Sequence, residues 1–313
     1  FFHPPAAIRD AQESRGLGDV YKRQEKYGSE PQWAPIAEGM ESRVLTFIWL
    51  DQQYILRVNP NPSGFQKDRW CFQQFHSEEL PIPEILEIGS FSSHYAYCLS
   101  RRLPGITLED SAIPTLQQLT PYVSQVWKVI HQSLLPSSEG FGPFNECGHA
   151  TFSSWQSFLQ STIRGKDQQW DHLFASNLLD ATALQPVMQS YLRLTGHCPE
   201  ERKLVHGDFG SNNVLTDGKK ITGVLDWDCA LYGDPLFDVA GSFFWSPWLD
   251  CMHIQSEFFQ QTLRNDANFA VHLQCYQLRC GLEEIYENAL AGNQKLLNWL
   301  LNRTMQIHQA TEN

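Results

Sequence analysis

The stretch that most limits the fold is VHGDFGSNNVLTDGKKITGVLDWD, residues 205–228. Two strand-like runs, NVLT and KKITGVLDW, flank Asp217-Gly218, a pair suited to a tight hairpin turn because both residue types tolerate positive φ. A two-residue turn makes opposed positions sum to about 435, which sets Asp226 abreast of Phe209. Just before the hairpin, Asp208 and Asn213 stand five residues apart in a loop rich in small residues. A chain with this segment is therefore expected to present two carboxylates and an amide at one hairpin end.

That combination matches the parts needed for phosphoryl transfer. An Asp takes the attacking hydroxyl's proton, and an Asn and a second Asp supply hard oxygen ligands to Mg²⁺. On this reading Asp208 is the catalytic base and Asn213 and Asp226 hold Mg²⁺. The plainer alternative is a polar turn whose Asp and Asn bond the local backbone. His206 is expected to fix the loop's shape rather than act as a base. Asp228 is expected to be a solvated or locally bonded carboxylate. Asp238, in GDPLFDVA, either braces the loop or is a carboxylate at a helix N-terminus.

The flanking sequence divides in two. VLTFIWL (44–50) and QYILRV (53–58) read as a hairpin turning at Asp51-Gln52, and Phe65–Glu79 as an amphipathic helix ended by the prolines of LPIP. EILEIGSF and SHYAYCLS read as two further strands, and LPG at 103–105 marks a boundary. Beyond it, Thr115–Leu135, Ser153–Ile163 and Leu178–Leu194 read as helices, and from Phe237 onward the chain reads helical again, ending with segments around Tyr276–Leu290 and Gln294–Met305. The expected class is α+β, with a small β-rich lobe over 25–103 and a larger, mainly helical lobe over 104–313 that carries the hairpin. Residues 1–24, which include FFHPPAAIRD and SRGLGDVYKRQ, show no apolar periodicity and are expected to be a non-native leader.

No G-x-x-x-x-G-K-[ST] is present, so a P-loop is not expected. Gly39 in AEGMESRV is a weak candidate for a glycine-rich loop. Arg57 lies on a strand where a kinase carries its phosphate-contacting lysine, with Asp68 available to orient it. The alternatives are an exposed strand arginine and a surface carboxylate.

With 313 residues, 42% hydrophobic and 19% charged, the chain can bury a sizeable core. A net charge of −12 argues against a nucleic-acid partner; it suits a cationic small molecule, or solubility alone, which is the commoner explanation. Eight scattered cysteines without paired spacing suit reduced thiols in a cytoplasm. No apolar run is long enough for a membrane span. The chain is expected to be a monomer.

HGDFGSNNVL followed by VLDWD resembles the aminoglycoside phosphotransferase family. ESRVLTF, YILRVN, GFQKDR, LPIPEILEIG, YCLSRRLPGITL, GFGPF and FFWSPWLDCM extend the likeness from about Lys26 to about Asn293, most of all to the members that act on hygromycin B. The resemblance implies a two-lobed protein-kinase-like fold, ATP and Mg²⁺ as cofactors, and an aminoglycoside as acceptor. It implies the same roles for Asp208, Asn213 and Asp226, and phosphate binding by Arg57 beside Asp68. Arg57 replaces the family's usual lysine, and a guanidinium fork also binds phosphate. Adenine is then expected at the backbone of Arg101 and Leu103. Trp245, Trp248 and Tyr286 fall where acceptor-facing rings are expected, and aromatic faces suit sugar surfaces and cations; hydrophobic core is the alternative for the two tryptophans. Glu283, Glu284 and Glu287 either attract a cationic acceptor or form a solvated helix face. A metabolic kinase of the same fold and an inactive nucleotide-binding module stay open as alternatives.

Overall fold

The structure, a computed structural model, describes residues 32–38, 43–90, 95–264 and 268–310. The leader expected over 1–24 and the glycine at 39 lie outside the described residues. The chain separates into two compact units, residues 1–69 with 83–102 and residues 70–82 with 103–313.

In the first unit, β1 (Gln32–Glu38), β2 (Arg43–Trp49) and β3 (Gln52–Asn59) precede helix α1 (Ser63–Phe75). Strands β4 (Ile85–Ser90) and β5 (Ala96–Arg101) complete an antiparallel sheet in the order β1-β2-β3-β5-β4. Phe65 on α1 packs on Ile85, Ala96 and Cys98 to form its small core. The β2–β3 turn is one residue earlier than the Asp51-Gln52 reading. Trp49 pairs with Gln52, and Leu50 and Asp51 take φ of 49° and 59°, the double left-handed pattern that matches strand twist. An Asp invites a turn and a Leu does not, so composition pointed one position late.

Helix α1 stops at Phe75, short of the expected Glu79. Ser77 closes a turn with Leu80 in both directions (Ser77 N–H to Leu80 O 3.1 Å, Leu80 N–H to Ser77 Oγ 3.0 Å), so the chain leaves the helix before the prolines.

The second unit follows with β6 (Ile106–Thr107), α2 (Ile113–Gln132), β7 (Phe141–Phe144), β8 (Ala150–Phe152), α3 (Trp155–Arg164), α4 (Trp170–Ala175) and α5 (Ala181–Leu194). Then come β9 (Lys203–Val205), β10 (Val214–Thr216), β11 (Ile221–Val224) and β12 (Leu231–Gly233). Helices α6 (Leu236–Trp245), α7 (Asp250–Leu263), α8 (Phe269–Ala291) and α9 (Gln294–Gln309) end it. The strands form two small sheets, β11-β10-β6 and β8-β7-β12-β9.

One core joins α2 to the hairpin and α7 through Leu119, Trp127, Val214, Val224, Trp227 and Phe259. The other gathers α3, α5, α8 and α9 around Trp155, Tyr191, Tyr276, Leu282 and Leu300. Helix α8 is buried on most sides, which suits a central helix. Its Gly281 lets α9 approach closely: a Cβ there would sit 2.2 Å from Thr304 Oγ1 and 3.0 Å from Phe244 of α6. Trp155 Nε1–H donates to Tyr276 Oη (2.9 Å), which donates to Asp234 (2.6 Å), so a buried chain of hydrogen bonds crosses this core.

The hairpin differs from the two-residue reading. Val214 pairs with Val224 and Thr216 with Ile221, and Asp217–Lys220 form a four-residue loop. Asp217 Oδ1 accepts the N–H groups of Lys219 (2.9 Å) and Lys220 (3.0 Å), which widens the turn beyond Asp217-Gly218. Continuing that register moves Asp226 from Phe209 to abreast of Asn212. Leu225 N–H donates to Asn213 O at 2.8 Å in the same register.

Candidate active site

Strand β9 delivers the chain to His206, which is fully buried. Gly207 follows at φ 87°, and a Cβ there would lie 2.2 Å from the Cys229 carbonyl oxygen, so only glycine fits. Asp208 is exposed, Phe209 is buried, and Gly210 at φ 112° reverses the chain into a 3₁₀ turn over Ser211–Asn213. The alternation of anchors and glycines holds Asp208 outward on a fixed loop.

The bonds around the loop assign its parts. Asn213 Nδ2–H₂ donates to Asp208 Oδ2 (2.7 Å) and to Asp208 O (3.0 Å). His206 Nε2 lies 2.9 Å from Leu225 O, and Asp208 N–H donates to His206 Nδ1 at 3.3 Å. A carbonyl only accepts, so the proton sits on Nε2 and both ring nitrogens are engaged in holding backbone. That is the loop-fixing arrangement expected from sequence.

Asp238, in the first turn of α6, accepts His206 N–H at Oδ2 (3.0 Å) and Gly207 N–H at Oδ1 (2.7 Å). Burial pushes its carboxyl up to about 6, against the pull of His206 and the two N–H donors. Asp238 is thus both a brace and a helix-N-terminal carboxylate. The two readings weighed from sequence are one residue's two roles.

Asp226 is exposed at φ 59°, directly before the buried Trp227, whose Nε1–H donates to Val224 O (3.1 Å). Asp228 is also exposed. Among the described residues no three His, Cys, Asp or Glu side chains form a ready-made metal cage.

In the first unit, Arg57 is paired with Asp68. Its guanidinium lies 5.1 Å from the Phe65 ring centroid and 3.8 Å from Cys98 Sγ. It is neither an exposed strand arginine nor free to swing. Burial raises the Cys98 thiol, so that neighbour stays neutral. Arg101 is exposed; its Nε–H donates to Glu84 (2.6 Å) and its N–H to Glu84 O (3.1 Å). Leu103, which clusters with the second unit, is half-buried.

The candidate acceptor residues differ in exposure. Trp245, at the end of α6, stacks on Trp299 of α9 with centroids 5.3 Å apart and planes 6° from parallel. Trp248 is 49% exposed and meets Trp299 edge-on at 4.8 Å. Arg303 sets this register by donating to the terminal carbonyls of α6, Phe244 O (3.0 Å) and Phe243 O (2.7 Å). Trp299 escaped the sequence reading, because only helix packing brings it to residues more than fifty positions away.

Tyr286 packs on Trp170, and its Oη accepts Gln169 N–H (3.0 Å), so its hydroxyl ties down the segment before α4. Glu283 pairs with Arg279. Glu284 is half-buried; burial and then Glu287, Asp208 and Glu283 push its carboxyl up to about 7. Of the three glutamates Glu287 is exposed to solvent, whereas Glu284 feels the charge of Asp208.

The sequence pattern of the phosphotransferase enzyme family (APH) matches residues 32–266. The chain belongs to that family. This phosphotransferase is 39% identical over 272 residues to Hygromycin-B 4-O-kinase of Escherichia coli, covering 86% of this chain and 78% of that protein. It is similar to the crystal structure of aminoglycoside phosphotransferase APH(4)-Ia, with TM-score 0.87 and 35% identity over 94% of this chain and 99% of that one. A thermostable mutant of APH(4)-Ia in ternary complex with AMP-PNP and hygromycin B gives TM-score 0.85 and 36% identity, covering 93% and 97%. The α+β, two-lobed protein-kinase-like class expected from sequence holds.

Proposed function

We propose that this phosphotransferase moves the γ-phosphoryl group of ATP to the 4-hydroxyl of hygromycin B, an aminoglycoside. The observation that carries the reading is the Asn213–Asp208 contact at 2.7 Å in a loop gripped by Asp238. The acceptor follows from the relatives, one named for hygromycin B and one bound to it.

Asp208 is assigned as the base. As the acceptor oxygen bonds to phosphorus and the bond to the ADP oxygen breaks, the hydroxyl proton passes to the Asp208 carboxylate. Asn213 holds that carboxylate in one orientation, and Asp238 holds the backbone that carries it. Catalysis on this account is positioning plus charge stabilisation.

The donor set fits Mg²⁺. Asn213 turns its nitrogen to Asp208, so its oxygen is the atom offered to a cation, and Asp226 adds a hard carboxylate. A site with few protein ligands suits an ion that arrives with nucleotide phosphates, whose charge it neutralises when bound. Arg57, fixed by Asp68, is assigned to phosphate. Arg101 and Leu103 are assigned to adenine through their backbone; Arg101 N–H already bonds Glu84 O, so its carbonyl is the contact.

Trp245, Trp248 and Tyr286 are assigned to the acceptor, with Trp248 offering the most open ring. Glu284 and its neighbours supply negative charge for a cationic acceptor. All eight cysteines are free thiols, which suits a reducing cytoplasm, and no described helix is long and apolar enough to cross a membrane.

A coupled assay of ADP release with hygromycin B, other aminoglycosides and neutral sugars tests the reading. Turnover with hygromycin B is expected; turnover with a neutral metabolite alone overturns it in favour of a metabolic kinase.

A further inference from the structure

The catalytic loop is gripped at its start by Asp238, and a second grip exists at its far end. Ser211 lies in the left-handed region at φ 42°, where a serine is disfavoured and glycine or asparagine is usual. It is also buried, 6% exposed, so its hydroxyl needs a partner. That partner is Glu109: Ser211 Oγ–H donates to Glu109 Oε2 at 2.6 Å.

Glu109 is itself held in place. It follows β6, whose Thr107 and Ile106 pair with Leu215 and Thr216 of β10. Leu108 N–H donates to Val214 O (3.0 Å) and Glu109 N–H to Ser211 O (3.3 Å). Ser211 and Glu109 are therefore joined by a side-chain and a backbone bond, more than a hundred residues apart in sequence. Ser211 opens the 3₁₀ turn that Asn213 closes with its N–H to Gly210 O (2.9 Å). Burial, and after it Glu109, raises the Cys251 thiol to about 11 against the pull of a hydrogen bond with Ser211, so Cys251 stays neutral beside this grip.

We infer that Glu109 is a positioning residue which, through Ser211, holds the turn that aims Asn213 at the Asp208 carboxylate. The strained φ of Ser211 is kept because the hydroxyl is needed there. The inference rests on the reading of Asp208 as the base, and its test separates the two.

Four variants are compared with wild type: Ser211→Gly, Glu109→Ala, Glu109→Gln and the double Ser211→Gly/Glu109→Ala. Ser211→Gly relieves the backbone strain and removes the hydroxyl with its need for a partner, so its Tm should hold. Glu109→Ala leaves that buried hydroxyl without its carboxylate, so a modest fall in Tm is expected there and kcat is read at a temperature where every variant stays folded. Both are expected to lower kcat with hygromycin B and ATP roughly tenfold or more, with both KM values unchanged. The double variant should lose no more than either single one. Glu109→Gln keeps an acceptor oxygen and should restore kcat to within about threefold.

Amide hydrogen exchange of residues 209–213, measured without acceptor, should speed up roughly tenfold in Ser211→Gly and Glu109→Ala but not in Glu109→Gln. Wild-type exchange in the first two, or losses in kcat that multiply in the double variant, overturns the inference. If wild type turns over no hygromycin B, the proposed acceptor falls, and the exchange measurement alone decides the Glu109 tether.

Discussion

The loop over 206–213 and the aromatic patch around Trp248 are held by different physics. The loop is tied by directional bonds: Asp238 to two N–H groups, His206 through both ring nitrogens, and Asn213 to Asp208. The patch is held by ring packing on Trp299, with Trp248 half in solvent. Directional bonds fix an atom within tenths of an ångström, as a proton transfer requires. Ring contacts tolerate sliding, which suits a bulky ligand. The comparison says that damage to the loop should appear in kcat and damage to the patch in acceptor KM.

The largest expected effect lies on the loop. Asp208→Asn keeps shape and the bond from Asn213 to one oxygen but removes the proton acceptor, so kcat should fall by about 10²–10⁴ with nucleotide affinity kept. Single-turnover kinetics would check this, and a turnover near wild type would remove Asp208 from the role.

Next comes the brace. Asp238→Ala leaves two buried N–H groups without partners, at roughly 1–3 kcal/mol each, so unfolding free energy should drop by about 2–5 kcal/mol. Asp238→Asn should lose part of that, since one amide oxygen remains and the NH₂ faces a donor. Denaturant unfolding measures both; equal stability in the two would mean that the twin acceptor is unimportant.

How much of this was legible in the sequence follows the same division. Asp208, Asn213, His206 and Asp238 lie within about thirty residues, and their spacing carries the local geometry. The hairpin partner of Asp226 was misplaced because a side-chain bond at Asp217 widened the turn, and hydrophobic pattern does not encode loop length. Trp299, the Glu109 tether and the short strands β7, β9 and β12 depend on pairings far apart in sequence. The start of α8 at Phe269, ahead of the segment read around Tyr276, was hidden too, since His272 and Gln274 are buried polar residues that blur its apolar period.

The patch should yield smaller effects, and its two tryptophans should separate. Trp248→Ala is expected to weaken hygromycin B by roughly 1–3 kcal/mol in kcat/KM, with ATP parameters and Tm unchanged. Trp245→Ala removes the ring stacked on Trp299 and should also lower stability, by about 2–3 kcal/mol. If Trp248→Ala changes kcat but not acceptor KM, the division between loop and patch fails.

The smallest effect is a pH dependence at Glu284. Its carboxyl is raised to about 7, chiefly by burial, so the charge that would attract a cationic acceptor is present above that pH and lost as pH falls through it. Between its ordinary value and about 7 the folded chain binds this proton more tightly than the unfolded chain, so this group's contribution to stability declines as pH rises there. Acceptor kcat/KM should therefore climb a few-fold from about pH 6 to pH 8, and Glu284→Gln should flatten the climb. A profile unchanged by Glu284→Gln would place the acidic attraction elsewhere.

Gly281 gives the two regions a common fate. It sits where α8, which carries Glu284, touches both Thr304 of α9, the helix of Trp299, and Phe244 of α6, the helix of Asp238. If the patch holds the acceptor as proposed, changes around Trp248 would alter acceptor fit while leaving the loop in place. A methyl group at Gly281 would instead push on the helices behind ring wall and brace at once. On that assignment, substitutions are tolerated around Trp248 but not at this crossing, where a change in acceptor fit would be coupled to a change of rate.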